Sequence, residues 1–230
     1  MNDHAPPSAP ATAERIARSL TEAVHEHRVL PGMKLAEDEV GETFGAGRAI
    51  VRQALRILAQ EGLVTLERNR GAFVAMPTVR DAREVFEARA LLEPETARAA
   101  ALRIGADDLS MLDAHIVAEH EALDRADAGR ALALSGQFHV EIARIADQGT
   151  IEAFVRQLVS RSSLVIAVYW RRRSALCERH AHHALMEAFR AGDGDEACEV
   201  MKGHLIDLLS QLDLRDQSPA PRSLREALGR

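Results

Sequence analysis

Apolar side chains recur every three or four residues along most of the chain, which is the period of a helix with one buried face. The first such stretch begins after Thr12, a residue type that caps helices, and places Ile16, Leu20 and Val24 on one face. A turn-forming Leu-Pro-Gly run at 30–32 follows it. The pattern therefore predicts an amphipathic first helix that begins near Thr12 and ends at this turn.

Two further helices and two short β-prone segments follow the turn. The third helix stops at Gly62 and is predicted to bury five apolar side chains: Ile50, Val51, Ala54, Leu55 and Leu58. The polar run at 67–71 ends in glycine and joins the two strands as a hairpin. In chain order the segments are a helix at 37–44, a break at 45–47, a helix at 48–60, and strands at 63–66 and 72–74. This order is that of a winged helix-turn-helix.

Beyond Pro77-Thr78 the pattern stays helical to about Leu214. Turn-forming breaks divide this half at 105–107, 128–129, 148–150, 173–175 and 192–194. They predict about six helices in an antiparallel bundle, and a mainly α fold for the whole chain. The expected domains are a disordered lead-in at 1–11, a winged helix-turn-helix at 12–76, a linker at 77–80, a helical effector-binding domain at 81–214 and a flexible tail at 215–230.

The composition agrees with a mostly helical protein that has a packed core. Apolar residues make up 47% and charged residues 28% of the 230 residues. No stretch is apolar enough for a membrane span, and Asp3 stands where a secretory signal would be basic. The two isolated cysteines, Cys177 and Cys198, exclude a disulfide scaffold and a CxxC zinc module. We expect a cytoplasmic protein with no membrane partner.

The net charge of −6 argues against a general attraction to nucleic acid, but the charge is unevenly distributed. Between residues 41 and 77 the arginines outnumber the acidic residues, so a local basic face is predicted. The arginines there are Arg48, Arg52, Arg56, Arg68 and Arg70, and the acidic residues are Glu42, Glu61 and Glu67.

The predicted third helix carries residues suited to reading bases. Arg48, Arg52 and Arg56 recur four residues apart and form one stripe, with Gln53 beside it. In a major groove arginine pairs with guanine and glutamine with adenine, while other arginines contact phosphate. The residues nearest the helix N-terminus reach deepest, which favours Arg48, Ala49 and Arg52 as readers.

The hairpin tip supplies a second candidate contact. Arg70 is placed to enter the adjacent minor groove, and Gly71 lets the backbone approach the sugar-phosphate closely. A stripe of arginines alone also fits a solvated helix face. The order of the elements favours the DNA-binding interpretation.

Five segments resemble the DNA-binding domain of GntR-superfamily transcription regulators. They are LPG at 30–32, KLAE at 34–37, FGAGRAIVRQAL at 44–55, EGLV at 61–64 and RGAFV at 70–74. The family pattern V-S-R-T-P-V-R-E-A-L keeps both arginines here but has Gly47 for Ser, Ala49 for Thr, Ile50 for Pro and Gln53 for Glu. The resemblance implies a homodimer that binds double-stranded operator DNA, most often as a repressor. The substitutions bear on operator preference rather than on the binding mode.

Three histidines of the helical half fall on inward faces. His139, His182 and His204 each share a helical stripe with apolar residues. Neutral imidazoles from three bundle helices suit Zn²⁺, Ni²⁺, Fe²⁺ or Mn²⁺. Their separations of 43 and 22 residues match no local ligand motif, and a buried imidazole often only forms a hydrogen bond within a core. Both interpretations stay open on spacing alone.

Residues 80–210 resemble the FCD effector domain of the FadR-type branch of the same superfamily. The matching segments are EVFEARALLEP at 84–94, FH at 138–139, His182 ten residues before Gly192, and GHL at 203–205. The resemblance implies a divalent metal held by His139, His182 and His204. The family's D-x-x-F-H has Ser135 for the aspartate, so water or an effector carboxylate takes that place, or the pocket binds an effector without metal.

The resemblance also implies that Arg89 faces the pocket, where its planar guanidinium suits a small organic-acid effector. The alternative is an ordinary surface ion pair with Glu93, four residues on. The leading hypothesis is a ligand-responsive transcription regulator that is not an enzyme. The rival is an all-helical metal-dependent hydrolase with an appended DNA-binding module, against which no inward carboxylate near the three histidines is evident as a general base. A third hypothesis is a DNA-binding protein without an effector.

Overall fold

The computed structural model describes residues 12–170 and 176–215, and it describes no side chains for 176–180. The expected lead-in at 1–11 and the predicted break at 173–175 lie outside the described residues. All but the first residue of the expected tail at 215–230 lies outside them as well.

An N-terminal head combines three helices with a small antiparallel sheet. Its elements are α1 (Ala13–His25), β1 (Lys34–Leu35), α2 (Glu37–Phe44), α3 (Arg48–Gln60), β2 (Val64–Glu67) and β3 (Gly71–Val74). Thr12 caps α1 as predicted, since its side chain accepts a hydrogen bond from the Arg15 N–H. The predicted winged helix-turn-helix is confirmed.

The sheet has the strand order β1-β3-β2, and β1 was not predicted. Lys34 of β1 and Thr65 of β2 both pair with Phe73 of β3. Two residues are too few to show the alternation that marks a strand, so the sequence carries no signal for β1. The hairpin tip turns through Asn69 and Gly71, which have φ of 61° and 102°. Glycine adopts this left-handed region without steric cost.

The head has its own apolar core, and one prediction about it is wrong. Ile16, Val51, Leu55 and Leu58 are almost fully buried. Ile50, which was predicted to be buried, is 38% exposed. It lies in the first turn of α3, where Arg48 and Ala49 are exposed as well.

The C-terminal half is a bundle whose described residues form six helices, as predicted. They are α4 (Val79–Ala101), α5 (Ala106–Asp124), α6 (Ala128–Ile145), α7 (Gly149–Tyr169), α8 (Leu176–Ala191) and α9 (Gly194–Ser210). Phe86, Phe138 and Phe189 are among the fully buried side chains of its core. No helix among the described residues combines the length and apolar character needed to cross a membrane.

The linker between head and bundle is short, and hydrogen bonds fix it at the start of α4 and at Pro77. Thr78 and Asp81 form a reciprocal capping box at the start of α4. The Tyr169 hydroxyl donates to the carbonyl of Pro77 at 3.0 Å. The two parts also share packing, because Leu164 of α7 lies within the apolar core of the head.

Candidate functional site

The outer face of α3 exposes every residue expected to read DNA from this helix. Arg48, Ala49, Arg52, Gln53 and Arg56 are all exposed. The apolar side of the same helix anchors it in the core of the head, so the polar stripe points away from the protein. The hairpin tip is exposed as well, including both residues predicted there: Arg70 and Gly71.

Two of the α3 arginines form surface ion pairs with α2. Arg48 Nε lies 3.1 Å from Asp38 Oδ1, and Arg52 Nε lies 2.9 Å from Glu37 Oε2. Exposed pairs of this kind add little stability, because water screens both charges. Exchanging them for contacts with phosphates or bases therefore costs little.

The wing, which is the β2–β3 hairpin at 64–74, lies beside one cationic residue that the sequence did not indicate. The Arg70 guanidinium lies 5.4 Å from the ring centre of Phe73 and pairs with Glu67. Lys34 Nζ lies 6.0 Å from the same ring, because β1 pairs with β3. Lys34 is thus a further candidate phosphate contact, and no pattern in the sequence placed it next to the hairpin.

The three predicted histidines meet inside the bundle. His139 of α6, His182 of α8 and His204 of α9 are all buried, and one nitrogen from each lies within 4.8 Å of the others. The Nε2 atoms of His139 and His204 are 3.3 Å apart. Two nitrogens bound to one ion at a tetrahedral angle, with metal–nitrogen bonds of about 2.0–2.1 Å, would lie about 3.3–3.4 Å apart.

Two buried glutamates orient these histidines. Glu93 Oε2 lies 2.6 Å from His139 Nδ1, and Glu119 Oε2 lies 3.0 Å from His182 Nδ1. When Nδ1 donates to a carboxylate, Nε2 keeps its lone pair for a metal, and metal-binding histidines are usually held in this way. The expectation that no inward carboxylate lies near the histidines is therefore wrong. Glu93 had been considered only as a surface partner of Arg89.

The electrostatics favour neutral His139 and His204 beside a charged Glu93. Burial lowers the pKa of His204 well below its ordinary value, and neighbouring His182 and His139 add to the effect. Burial also lowers the pKa of His139, although Glu93 opposes this. Burial alone would raise the pKa of Glu93, but Arg89 and His139 outweigh it and lower that pKa to about 2. Neutral imidazole is the form that binds metals.

An unpartnered atom completes the test of the cluster as a metal centre. Among the residues that the structure describes, the buried Nε2 of His182 has no hydrogen-bond partner. An orphaned buried acceptor costs free energy unless a bound group satisfies it. The donor set, the separations and this free nitrogen all fit a divalent ion.

A small cavity of about 30 Å³ adjoins the cluster, and both candidate effector residues line it together with His139. Arg89 is only 3% exposed, so its pair with Glu93 is buried rather than at the surface. Its Nε and Nη2 donate to Glu93 at 2.5 and 3.2 Å, and its Nη1 donates to Ser162 at 3.1 Å. Ser135 lies one helical turn before His139 and is also buried.

Comparison with known families decides what kind of protein carries these sites. The FCD domain profile matches residues 84–207, and that of the bacterial regulatory proteins of the gntR family matches residues 12–74. The chain belongs to the GntR family of transcription regulators, with a C-terminal FCD domain. Its members are regulators and not enzymes, so the hydrolase hypothesis is set aside.

Relatives of this GntR-family protein match over most of its length. The Nta operon transcriptional regulator of Aminobacter aminovorans is 24% identical over 208 residues, which cover 85% of this chain and 96% of the relative. The galactonate operon transcriptional repressor of Escherichia coli (strain K12) is 27% identical over 212 residues, covering 80% and 89%. A putative GntR transcriptional regulator from Rhodococcus sp. RHA1 has a TM-score of 0.77 at 26% identity, covering 86% and 96%.

Proposed function

We propose that this regulator reads a double-stranded operator through α3 and the wing. The exposed stripe of Arg48, Arg52 and Arg56 at the outer face of the head carries this proposal. Ala49 and Gln53 complete the base-reading surface, and Arg70 and Gly71 reach the adjacent minor groove. These assignments rest on exposure, on charge and on the order of the elements in the head.

The regulator acts as a homodimer, and as a repressor. One recognition helix reads only half of an operator, and tight operators are generally two-fold symmetric. The galactonate operon relative is itself named a repressor. We assign DNA binding to residues 12–76 and effector binding to residues 81–214. Residues 77–80 are the linker between these two domains.

Selection of bound sequences from a random duplex library, followed by footprinting, tests this function. We expect a palindromic site whose half-sites are centred about 10 base pairs apart or a multiple of that spacing. Recovery of unrelated sequences with equal affinity would instead identify a DNA-binding protein without sequence preference.

The sensor holds a divalent metal at His139, His182 and His204. The unpartnered Nε2 of buried His182 supports this most directly, together with the two glutamates that fix the histidine tautomers. Zn²⁺, Ni²⁺, Fe²⁺ and Mn²⁺ all accept imidazole ligands. The ion would supply a positive charge that binds an anionic effector, and Ser135 leaves room for an effector oxygen beside it.

Replacing a ligand histidine tests the metal proposal. His182→Ala should lower the bound metal of purified protein more than tenfold, measured by elemental analysis after dialysis against metal-free buffer. His183→Ala is the matched control, because His183 is exposed on the next position of α8. Wild-type protein that carries no metal after purification and reloading would contradict the proposal.

The effector is a small organic acid bound in the cavity beside the metal. Arg89 and Ser135 line this cavity, and the guanidinium of Arg89, which pairs with Glu93, would bind an effector carboxylate by exchanging part of that pair. Effector binding favours one arrangement of the bundle, and through the short connection it changes the position of the head.

A further inference from the structure

The end of α1 contacts the bundle directly, at a distance from the linker. His25 Nε2 lies 3.1 Å from Ser160 Oγ, and His27 Nε2 lies 3.2 Å from the Ser163 carbonyl oxygen. Both serines belong to α7. We call residues 25–27 the α1 end; it forms a second connection between the head and the sensor.

The same segment also fits closely against the start of α6. Arg130 Nη1 lies 3.3 Å from Glu26 Oε1. A Cβ atom on Gly129 would lie 2.1 Å from the carbonyl oxygen of Glu26. Only a glycine at position 129 lets the start of α6 come this close to the Glu26 carbonyl. The sequence is therefore suited to this contact between the α1 end and α6.

The α1 end supplies part of the wall of the sensor cavity. His25 and His27 line it together with Arg89, Ser135 and His139. The cavity volume of about 30 Å³ is roughly twice the 10–15 Å³ that one bound water molecule needs. An organic acid larger than about two water molecules therefore needs more room than the cavity offers, so a wall must move to admit it.

The α1 end is the wall that can give way. The bundle side of the cavity includes His139 and Leu208, which belong to the packed interior. The α1 end is held by polar contacts, and His27 adopts a φ of 54°, which is uncommon for residues other than glycine.

The head also contacts α7 through apolar packing. Leu164 is buried in the core of the head, and it borders the same cleft as Ala75, Met76 and Pro77 next to the linker. A tilt about this contact would lift the α1 end from α6 and α7 while the apolar packing at the linker stays intact. This is the hinge arrangement in which a few residues at element ends absorb the motion.

We propose that the α1 end is the lid of the sensor cavity, so that a docked head and a bound carboxylate exclude each other. The effector thus acts on the head by displacing His25 and His27, in addition to any change transmitted through the linker. The inference rests on the proposed sensor role of the cavity. The coupling is reciprocal, so anything that releases the α1 end opens the cavity.

A thiol placed under the lid reports its position without metal or effector. The buried Ser163 hydroxyl has no hydrogen-bond partner among the described residues, so Ser163→Cys loses no bond. The alkylation rate by iodoacetamide at position 163 is followed by peptide mass spectrometry. Native Cys198 is buried in the bundle and reports whether the fold as a whole stays closed.

Two matched glycine variants are then compared in the Ser163→Cys background. Gly129→Ala places a Cβ against Glu26 and should release the lid, raising the rate at position 163 about tenfold or more. Gly149→Ala is the control, because it lies at the start of α7 with no atom within 4 Å of its Cβ position, and should leave the rate unchanged. The rate at Cys198 should stay slow in both.

Equal rates at position 163 in the two glycine variants would overturn the lid assignment. Should Cys198 also react faster in Gly129→Ala, the variant His25→Ala/His27→Ala decides the question, since it removes the two hydrogen bonds between the α1 end and α7. This variant should raise the rate at position 163 alone, and an unchanged rate would likewise overturn the proposal. Wild-type protein without metal would contradict the metal proposal, but the alkylation rates would still test the lid assignment.

Discussion

At the scale of single residues, the sensor is governed by charged groups inside an otherwise apolar bundle. Glu93 lies between Arg89 and His139, and all three side chains are at most 3% exposed. A buried ion pair gains little net stability, because removing two charges from water costs about as much as their attraction returns. We infer that this arrangement is kept for binding, since it holds one histidine in the tautomer that presents Nε2.

The pH dependence of stability should report the burial of His25. Burial lowers the pKa of His25 from 6.5 to about 4, with a further lowering by His27 that Glu26 partly opposes. The unfolded chain therefore binds more protons in this window, so stability falls as the pH falls from about 6.5 to about 4. Between about pH 7.5 and pH 5 the His25 contribution should fall by about 2 kcal/mol, at about 1.4 kcal/mol per pKa unit.

Urea unfolding of wild type and His25→Gln at both pH values measures this contribution, because the variant lacks the titrating group. The stability difference, wild type minus variant, should shrink or change sign at the lower pH. An identical difference at the two pH values would show that His25 is not buried in the docked form.

The histidines were predictable from the sequence, but the glutamates that orient them were not. His139, His182 and His204 each fall on an apolar helical stripe, and this periodicity can be recognised from one sequence. Glu93 stands in a charged stretch of α4, where the i,i+4 rule suggests only a surface pair. Glu119 has no local signal, because its partner is 63 positions away. Only tertiary packing brings these groups together.

At the scale of elements, long periodic helices and turn residues determined what could be predicted. The long helices of the head and the bundle were predicted because each repeats its apolar pattern over several turns. The breaks at 105–107, 128–129, 148–150 and 192–194 were predicted from their turn-forming residues. β1 was missed because it pairs through the backbone over only two residues. Ile50 was misplaced because it shares the apolar stripe of α3 with Ala54 and Leu58 but lies in the first turn, which is exposed.

At the scale of the whole molecule, the head contacts the bundle at more than the linker. Leu164 packs in the core of the head, Gln157 donates to the Gln60 carbonyl, and the α1 end lines the cavity. Under the lid proposal, a ligand that displaces the α1 end would change the position of α3 while the packed bundle stays as it is. The linker, which the sequence indicated, does not line the cavity.

The most direct test of the account is the affinity of the full chain for its selected operator, measured by fluorescence anisotropy for two arginine variants. Arg52→Ala should weaken binding by about 1–3 kcal/mol, or about 5- to 150-fold, because it removes a base or phosphate contact of α3. Arg103→Ala removes the same charge at an exposed position just after α4 and should change affinity less than twofold. Equal affinities of the two variants, with both chains folded, would contradict the assignment of α3 as the reading helix.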